Sequence, residues 1–208
     1  MSDLNQALVD IRAIRRQMAE ATEFRGYGPL TLFGTAVAAL VAGAAQACWL
    51  PDPASDPVKY VTLWLATAVV SAGLIAMQAL TRANRLHSGM ADEMLRMAVA
   101  QFLPAAFLGV ILPFVLLRFA ASALWLLPGL WQIIFGLGVF ASSRCLPRAM
   151  YVAGGWFLMT GLICIALGDA RAVAPAAMAI PYAVGMSLVA AIHHLSAKKA
   201  EADGEEER

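Results

Sequence analysis

Three histidines and fourteen carboxylates are among the residues of this sequence that could support acid–base or metal chemistry. The histidines are His87 and the adjacent pair His193 and His194. Neutral imidazole is a common ligand of metals and haem, but adjacent residues on a helix point about 100° apart and could not readily bind one ion together. We therefore predict solvated histidines near the ends of apolar segments, and we assign no metal and no cofactor.

The fourteen Asp and Glu residues all fall outside the long apolar segments of the chain. Proton-coupled transporters and intramembrane proteases usually need an ionisable group inside a membrane span, where it is expensive and therefore informative. The serines inside the apolar segments, such as Ser71 and Ser187, have no histidine at their depth that could act as a base. The sequence therefore predicts a protein that is not an enzyme.

These apolar segments dominate the composition and place the chain in a lipid bilayer. Hydrophobic residues make up 61% of the 208 residues and charged residues only 14%. The mean hydropathy of +0.70 lies far above the usual range for soluble domains. A membrane-spanning helix needs about 20 mostly apolar residues. Six such segments can be read directly: residues 29–50, 58–80, 97–117, 123–141, 149–167 and 173–195.

Arg118 interrupts the longest apolar run, which extends from residue 97 to residue 141. One helix of that length would measure about 67 Å, roughly twice the thickness of the hydrocarbon core. A charge at the bilayer centre costs at least about 2.5 kcal/mol, whereas a long side chain at a turn reaches the headgroups at little cost. We therefore expect a tight hairpin at Arg118, between the third and fourth spans.

Lysine and arginine residues are distributed unequally between the two sides of this topology. With the N-terminus inside, twelve of the fifteen lie on the cytoplasmic side, and only Lys59, Arg118 and Arg171 lie on the other. The predicted fold class is an all-α membrane protein with six transmembrane helices as three antiparallel hairpins and with both termini cytoplasmic. A bacterial inner membrane is the simplest location, with the first span as an uncleaved anchor.

A cytoplasmic amphipathic helix is predicted for residues 1–27, ahead of the spans. Its apolar face is formed by Leu4, Leu8, Ile11, Ile14 and Met18, which fall within one arc of a helical wheel. Four acidic residues balance its four arginines, whereas a helix that binds anionic lipid usually has a basic polar face. Two alternatives stay open: the helix lies on lipid, or it docks on a protein, either a partner or a second copy.

Small residues recur on one face of the first span, at Thr35, Ala39, Gly43 and Ala47. A stripe of this kind lets two helix backbones approach closely. The stripe and the apolar face of residues 1–27 together form the predicted association surface. Whether the stripe contacts another helix of the same chain or another subunit stays open.

Polar residues within the spans predict where a ligand cavity would lie. Gln132 and Thr160 lie well inside the hydrocarbon, where such side chains usually hydrogen-bond across helices, whereas Gln46 lies nearer a span end. Gln132 follows Trp131 in the fourth span, and Pro181 bends the sixth, as in the discontinuous helices of some transporters. The candidate cavity therefore consists of Trp131, Gln132 and Pro181.

The run VDIRAIRRQMAEATEFRGYGPLTLFG, followed by the small-residue first span and later by LWQIIFGLGVFASSR, resembles a group of bacterial six-span inner-membrane proteins of uncharacterised function. The resemblance implies the same hairpin plan and carries no catalytic residues. The chain thus divides into the N-terminal helix, a transmembrane domain at 28–195, and a charged tail at 196–208 that is predicted to be disordered.

The leading interpretation of function is a non-enzymatic membrane protein that acts through helix association, as an accessory, assembly or regulatory subunit. The alternative is a small-solute transporter or channel for an uncharged or weakly charged species, because no span offers a coupling carboxylate. The expected partners are the lipid bilayer and a membrane protein, a cytoplasmic protein or a second copy. Nothing in the sequence resembles a nucleotide loop or a nucleic-acid module.

Overall fold

The computed structural model describes residues 29–86, 89–143 and 149–205, and within them it is helical with no strand. Six helical segments of the described residues are long and apolar enough to cross a membrane, the fourth of them including the short 3₁₀ helix Ala121–Leu126. This number confirms the predicted number of spans. The helices are α1 (Pro29–Trp49), α2 (Pro57–Leu86), α3 (Gly89–Phe119), α4 (Leu127–Ser142), α5 (Met150–Leu167) and α6 (Pro175–Glu205). The predicted N-terminal helix, His87 and residues 206–208 lie outside the described residues.

The long apolar run around Arg118 is divided between two helices. Arg118 lies in the last turn of α3, and Ala120 leaves the helical conformation with φ −146° and ψ 51°. A short 3₁₀ helix, Ala121–Leu126, then leads into α4. The charge therefore lies at the end of a helix, where its long side chain can reach a polar interface.

The last helix continues further than the sequence suggested. We expected disorder from residue 196, but α6 extends to Glu205. The segment AKKAEADGE is rich in Ala, Lys and Glu, which favour helix. Because it prolongs a helix that is already formed, no new nucleation cost arises. The predicted disorder before residue 206 is therefore corrected.

The six helices are buried in the bundle to different extents. Half of the span Ala121–Ser142 is buried in the bundle, against 11% of the span Arg96–Phe119 and 17% of the span Pro57–Gln78. The most extensive packing joins α4 to α5 and α1 to α6, with α3 against α4 next. The bundle thus has a well-packed centre of α1, α4, α5 and α6, with α2 and α3 at its periphery.

Glycines allow α4 and α5 to approach closely. A Cβ atom on Gly129 would lie 2.7 Å from the carbonyl oxygen of Gly161, and a Cβ on Gly161 would lie 2.7 Å from the carbonyl oxygen of Gly129. Both distances are too short for a carbon atom, so any side chain here would force the two backbones apart. The α4–α5 contact therefore depends on this reciprocal glycine pair.

The connection between α1 and α2 is short and capped by its own carboxylates. Asp52 Oδ1 accepts a hydrogen bond from the amide of Ala54, at 3.1 Å. Asp56 precedes α2, and its Oδ1 accepts a hydrogen bond from the amide of Lys59, at 3.4 Å. The Lys59 side chain also hydrogen-bonds to Asp56, which lowers the pKa of that exposed carboxyl. Asp56 thus satisfies one of the free amides at the start of α2.

Two apolar clusters fill the interior. One lies between α1, α4, α5 and α6 and includes Phe157 and Met186. The other includes Tyr60, Leu127 and Trp131 and lies nearer the α1–α2 connection. Tyr182 packs against both clusters, so they form one continuous core.

Candidate functional site

Trp131 of α4 binds a carbonyl that a proline has left free. Pro113 lies inside α3, and because proline has no amide hydrogen, it cannot bond to the carbonyl four residues earlier. That carbonyl belongs to Gly109, and the indole Nε1 of Trp131 donates to it at 2.7 Å. The side chain of Trp131 therefore replaces the helical bond that Pro113 removes.

Gln132, the next residue, makes the equivalent contact on the other side of α4. Pro181 lies inside α6 and leaves the carbonyl of Ala177 without its helical donor. Nε2 of Gln132 donates to that oxygen at 3.0 Å. Two adjacent residues of α4 thus join it to α3 and to α6, each at the carbonyl freed by a proline, as expected for tolerated prolines in membrane helices.

The predicted cavity residues therefore lie together, but in a packed arrangement. Trp131 is 8% exposed and Gln132 is 0% exposed. Pro181 adds a further contact, because its own carbonyl accepts a hydrogen bond from Nε1 of Trp156, at 2.9 Å. The three residues hold α3, α4, α5 and α6 together through backbone carbonyls.

Gln46 belongs to the same kind of network, and the sequence interpretation missed it. Its Nε2 donates to the carbonyl of Val173 at 2.8 Å, and its Oε1 accepts from the indole Nε1 of Trp64 at 2.8 Å. The side chain is 0% exposed and joins α1 to α2 and to the turn that precedes α6. Its spacing of three from Gly43 places both on one helix face, and this was the signal that could have found it.

The small-residue stripe of α1 faces α6 of the same chain. Thr35 and Ala39 are buried, and a Cβ on Gly43 would lie 2.5 Å from the Cβ of Ala179. Ala47, the last member, is exposed. The stripe is therefore an internal contact between α1 and α6, which is one of the two alternatives that the sequence left open.

Two other polar residues differ from expectation. Thr160 donates to the carbonyl of Trp156 within its own helix, at 2.9 Å, where we expected a bond between helices. We expected a solvated side chain at His193, but it is buried. The cause is its position on the face of α6 whose residues Val189 and Ala190 pack in the core. His194 follows it in the same helix. Among the described residues, no three potential metal ligands form a group.

Among the grooves on the surface of the described part of the chain, two are lined by residues other than Gln132. The first, of about 420 Å³, lies at the junction of α3, α4 and α5. It is lined by Gln101, Phe140, Ala141, Ser143 and Tyr151. The second, of about 560 Å³, is wholly apolar and follows one side of α3 around Phe107. The second groove is of the kind that lipid chains fill.

No protein-family profile, curated protein or solved structure matches the chain.

Proposed function

We propose that this chain is a non-enzymatic membrane protein that acts through helix association, as an accessory, assembly or regulatory subunit. The supporting observation is the use of its buried polar side chains. Trp131 and Gln132 each donate to a backbone carbonyl of a neighbouring helix, and Gln46 donates to the carbonyl of Val173 in the turn before α6. Side chains used in this way stabilise the bundle and are poorly placed to bind a reacting or migrating solute.

The association surfaces of this proposal lie outside the packed centre. Only 17% of the span in α2 and 11% of the span in α3 are buried in the bundle. Most of their apolar surface therefore faces lipid or another protein. The second surface is the apolar face of residues 1–27, with Leu4, Leu8, Ile11, Ile14 and Met18. The stripe of α1 is no longer part of this surface, because α6 covers it.

The proposal includes the topology. Three antiparallel hairpins with both termini in the cytoplasm of a bacterium account for the twelve Lys and Arg residues on one side. The position of Arg118 at the end of α3 supports a turn between the third and fourth spans. The inner membrane is the location that this charge distribution favours.

The decisive experiment is purification of the tagged protein from its native membrane in a mild detergent, with mass spectrometry of the retained proteins and determination of the particle mass. The proposal is supported if a second protein is retained in a fixed ratio and if this protein is lost when Ile11 and Ile14 are both changed to Asp. The matched control changes Asn5 and Ala13 to Asp, since these lie on the opposite side of the predicted helix. A homo-oligomer without a companion, unchanged by either pair, contradicts an accessory role.

A small-solute transporter or channel is the second candidate, and one observation favours it. The proline bends of α3 and α6 are both linked to adjacent residues of α4, and bent helices of this kind surround the substrate in some transporters. If this function holds, flux of an uncharged solute into liposomes containing the purified protein falls when Gln132→Leu or Pro181→Ala is introduced. Equal flux for all variants and for empty liposomes excludes it.

A further inference from the structure

The groove of about 420 Å³ at the junction of α3, α4 and α5 lies near the ends of three candidate spans. Its lining residues lie close in the chain to Arg96, where the third span begins, to Ser142, where the fourth ends, and to Met150, where the fifth begins. In a bilayer the ends of the spans lie near the level of the lipid headgroups. The groove is therefore in a position to meet a headgroup.

Contacts between the three helices form the groove. Oγ of Ser142 donates to the carbonyl of Ala98 at 3.2 Å and holds the end of α4 against α3, one turn before Gln101. The rings of Phe140 and Tyr151 join α4 to α5, with centroids 5.6 Å apart and planes inclined by 36°. The groove thus combines a glutamine of α3 with an aromatic pair of α4 and α5.

The polar groups of the groove lack hydrogen-bond donors. Oε1 of Gln101 is buried and has no hydrogen-bond partner among the described residues. The last torsion of a glutamine side chain is broad, so this oxygen can turn towards a donor that enters the groove. Ser143 donates its hydroxyl hydrogen to the carbonyl of Phe140 at 2.6 Å, which leaves its oxygen free to accept. A matching ligand therefore brings donors.

The geometry points to a binding site in this groove for a lipid headgroup that carries a primary ammonium, the chemistry of phosphatidylethanolamine. An ammonium supplies N–H donors for Gln101 and Ser143. Its positive charge is attracted to the faces of aromatic rings, which Phe140 and Tyr151 provide. None of the five lining residues is charged, so the lining offers no cation for an anionic headgroup. The inference goes beyond the proposed function and does not rest on it.

A comparison of three lipids tests the site in the wild-type protein. The purified protein, freed of lipid in detergent, is mixed with phosphatidylethanolamine, phosphatidylcholine or phosphatidylglycerol with identical acyl chains, and native mass spectrometry measures the lipid retained. Phosphatidylcholine is the matched control, because its quaternary ammonium keeps the charge but has no N–H donor. We expect retention of phosphatidylethanolamine to be about tenfold stronger, as for one hydrogen bond to a charged group. Equal retention of all three lipids, or preference for phosphatidylglycerol, would overturn the inference.

Substitution of Gln101 tests the acceptor. Gln101→Leu is expected to weaken retention of phosphatidylethanolamine about tenfold and to leave phosphatidylcholine unchanged, so that selectivity between the two is lost. Gln101→Glu keeps the size of the side chain and its acceptor oxygens, and we expect it to retain phosphatidylethanolamine at least as strongly as the wild type. Loss of binding in Gln101→Glu, or full binding in Gln101→Leu, would overturn the role of this oxygen.

Substitution of Tyr151 tests the aromatic pair. Tyr151 is 50% exposed, so Tyr151→Leu should preserve the fold. The change is expected to weaken retention of phosphatidylethanolamine and phosphatidylcholine alike, because both carry the positive charge that the ring attracts. Trp49→Leu is the control, since it removes an aromatic ring that is 81% exposed and does not line the groove. Equal lipid retention by the Tyr151 and Trp49 variants would overturn this part of the site.

Discussion

Nε2 of Gln132 lies 3.0 Å from the carbonyl oxygen of Ala177, which is the oxygen left without a helical donor by Pro181. One polar side chain in α4 thus compensates for a proline in a different helix. Trp131 does the same for Pro113, with 2.7 Å between its Nε1 and the carbonyl oxygen of Gly109. The two bends are consequently supported by one turn of α4, which makes this turn the centre of the predictions below.

Gln132→Leu is expected to destabilise the bundle by about 0.6 to 2 kcal/mol, the range for hydrogen bonds between membrane helices. The loss should shrink when Pro181→Ala is also present, because alanine restores an amide that can bond to the Ala177 carbonyl. Unfolding in mixed detergent micelles measures the loss of stability with and without Pro181→Ala. An equal loss with and without Pro181→Ala would contradict the capping role of Gln132.

Trp131→Phe removes the donor to the Gly109 carbonyl while keeping an aromatic ring. We expect a loss of about 1 to 3 kcal/mol, the cost of an unsatisfied buried acceptor, and partial recovery in combination with Pro113→Ala. Trp49→Phe is the control, since Trp49 is 81% exposed. The same unfolding assay applies, and a similar loss for both tryptophans would argue against a specific bond.

Gln46→Leu is expected to be the most destabilising of the glutamine substitutions. It leaves both the indole N–H of Trp64 and the carbonyl of Val173 without partners, at about 1 to 3 kcal/mol for each. Thermal unfolding measures the loss, and Trp64 fluorescence reports local water entry. Cys48→Ser, at an exposed neighbour on the same helix, should have an effect within about 0.5 kcal/mol. A Gln46 variant as stable as the control would show that this bridge contributes nothing.

Gly43→Ala is expected to destabilise the protein, because the new Cβ would lie 2.5 Å from the Cβ of Ala179. Overpacking of a close contact typically costs about 1 to 3 kcal/mol, and Ala179→Gly in the same chain should restore much of it. Gly34→Ala is the matched control on α1: nothing lies within 4 Å of its Cβ position, so the change should be neutral or slightly stabilising. Equal effects of the two alanines would contradict the α1–α6 contact.

The proposed topology predicts which loops face the cell exterior. In a background without native cysteines, we expect Ser55→Cys to react with a membrane-impermeant maleimide added to intact cells. Lys199→Cys should react only after the membrane is opened. The reverse pattern would place both termini outside. Reaction of both cysteine variants in intact cells would contradict an even number of spans.

Hydropathy alone determined the number and approximate ends of the spans. Residues 97–117 were predicted as a span, and the structure has the span Arg96–Phe119. This agreement has a physical cause, because the length of an apolar segment must match the hydrocarbon thickness. The requirement applies to each segment separately. The division of the long run near Arg118 follows from the same local cost of a buried charge.

The partners of the polar and small residues were decided only by the tertiary structure. The sequence alone shows that Pro181 leaves the Ala177 carbonyl without its helical donor. It does not show that Gln132, 45 residues before Ala177, supplies the donor. The stripe around Gly43 likewise indicated a close helix contact without naming α6. The sequence places Gln46 near the end of its span, yet contacts with Trp64 and Val173 bury it completely. Contacts of this kind depend on the rotation and neighbours of whole helices, which no local segment of the chain specifies.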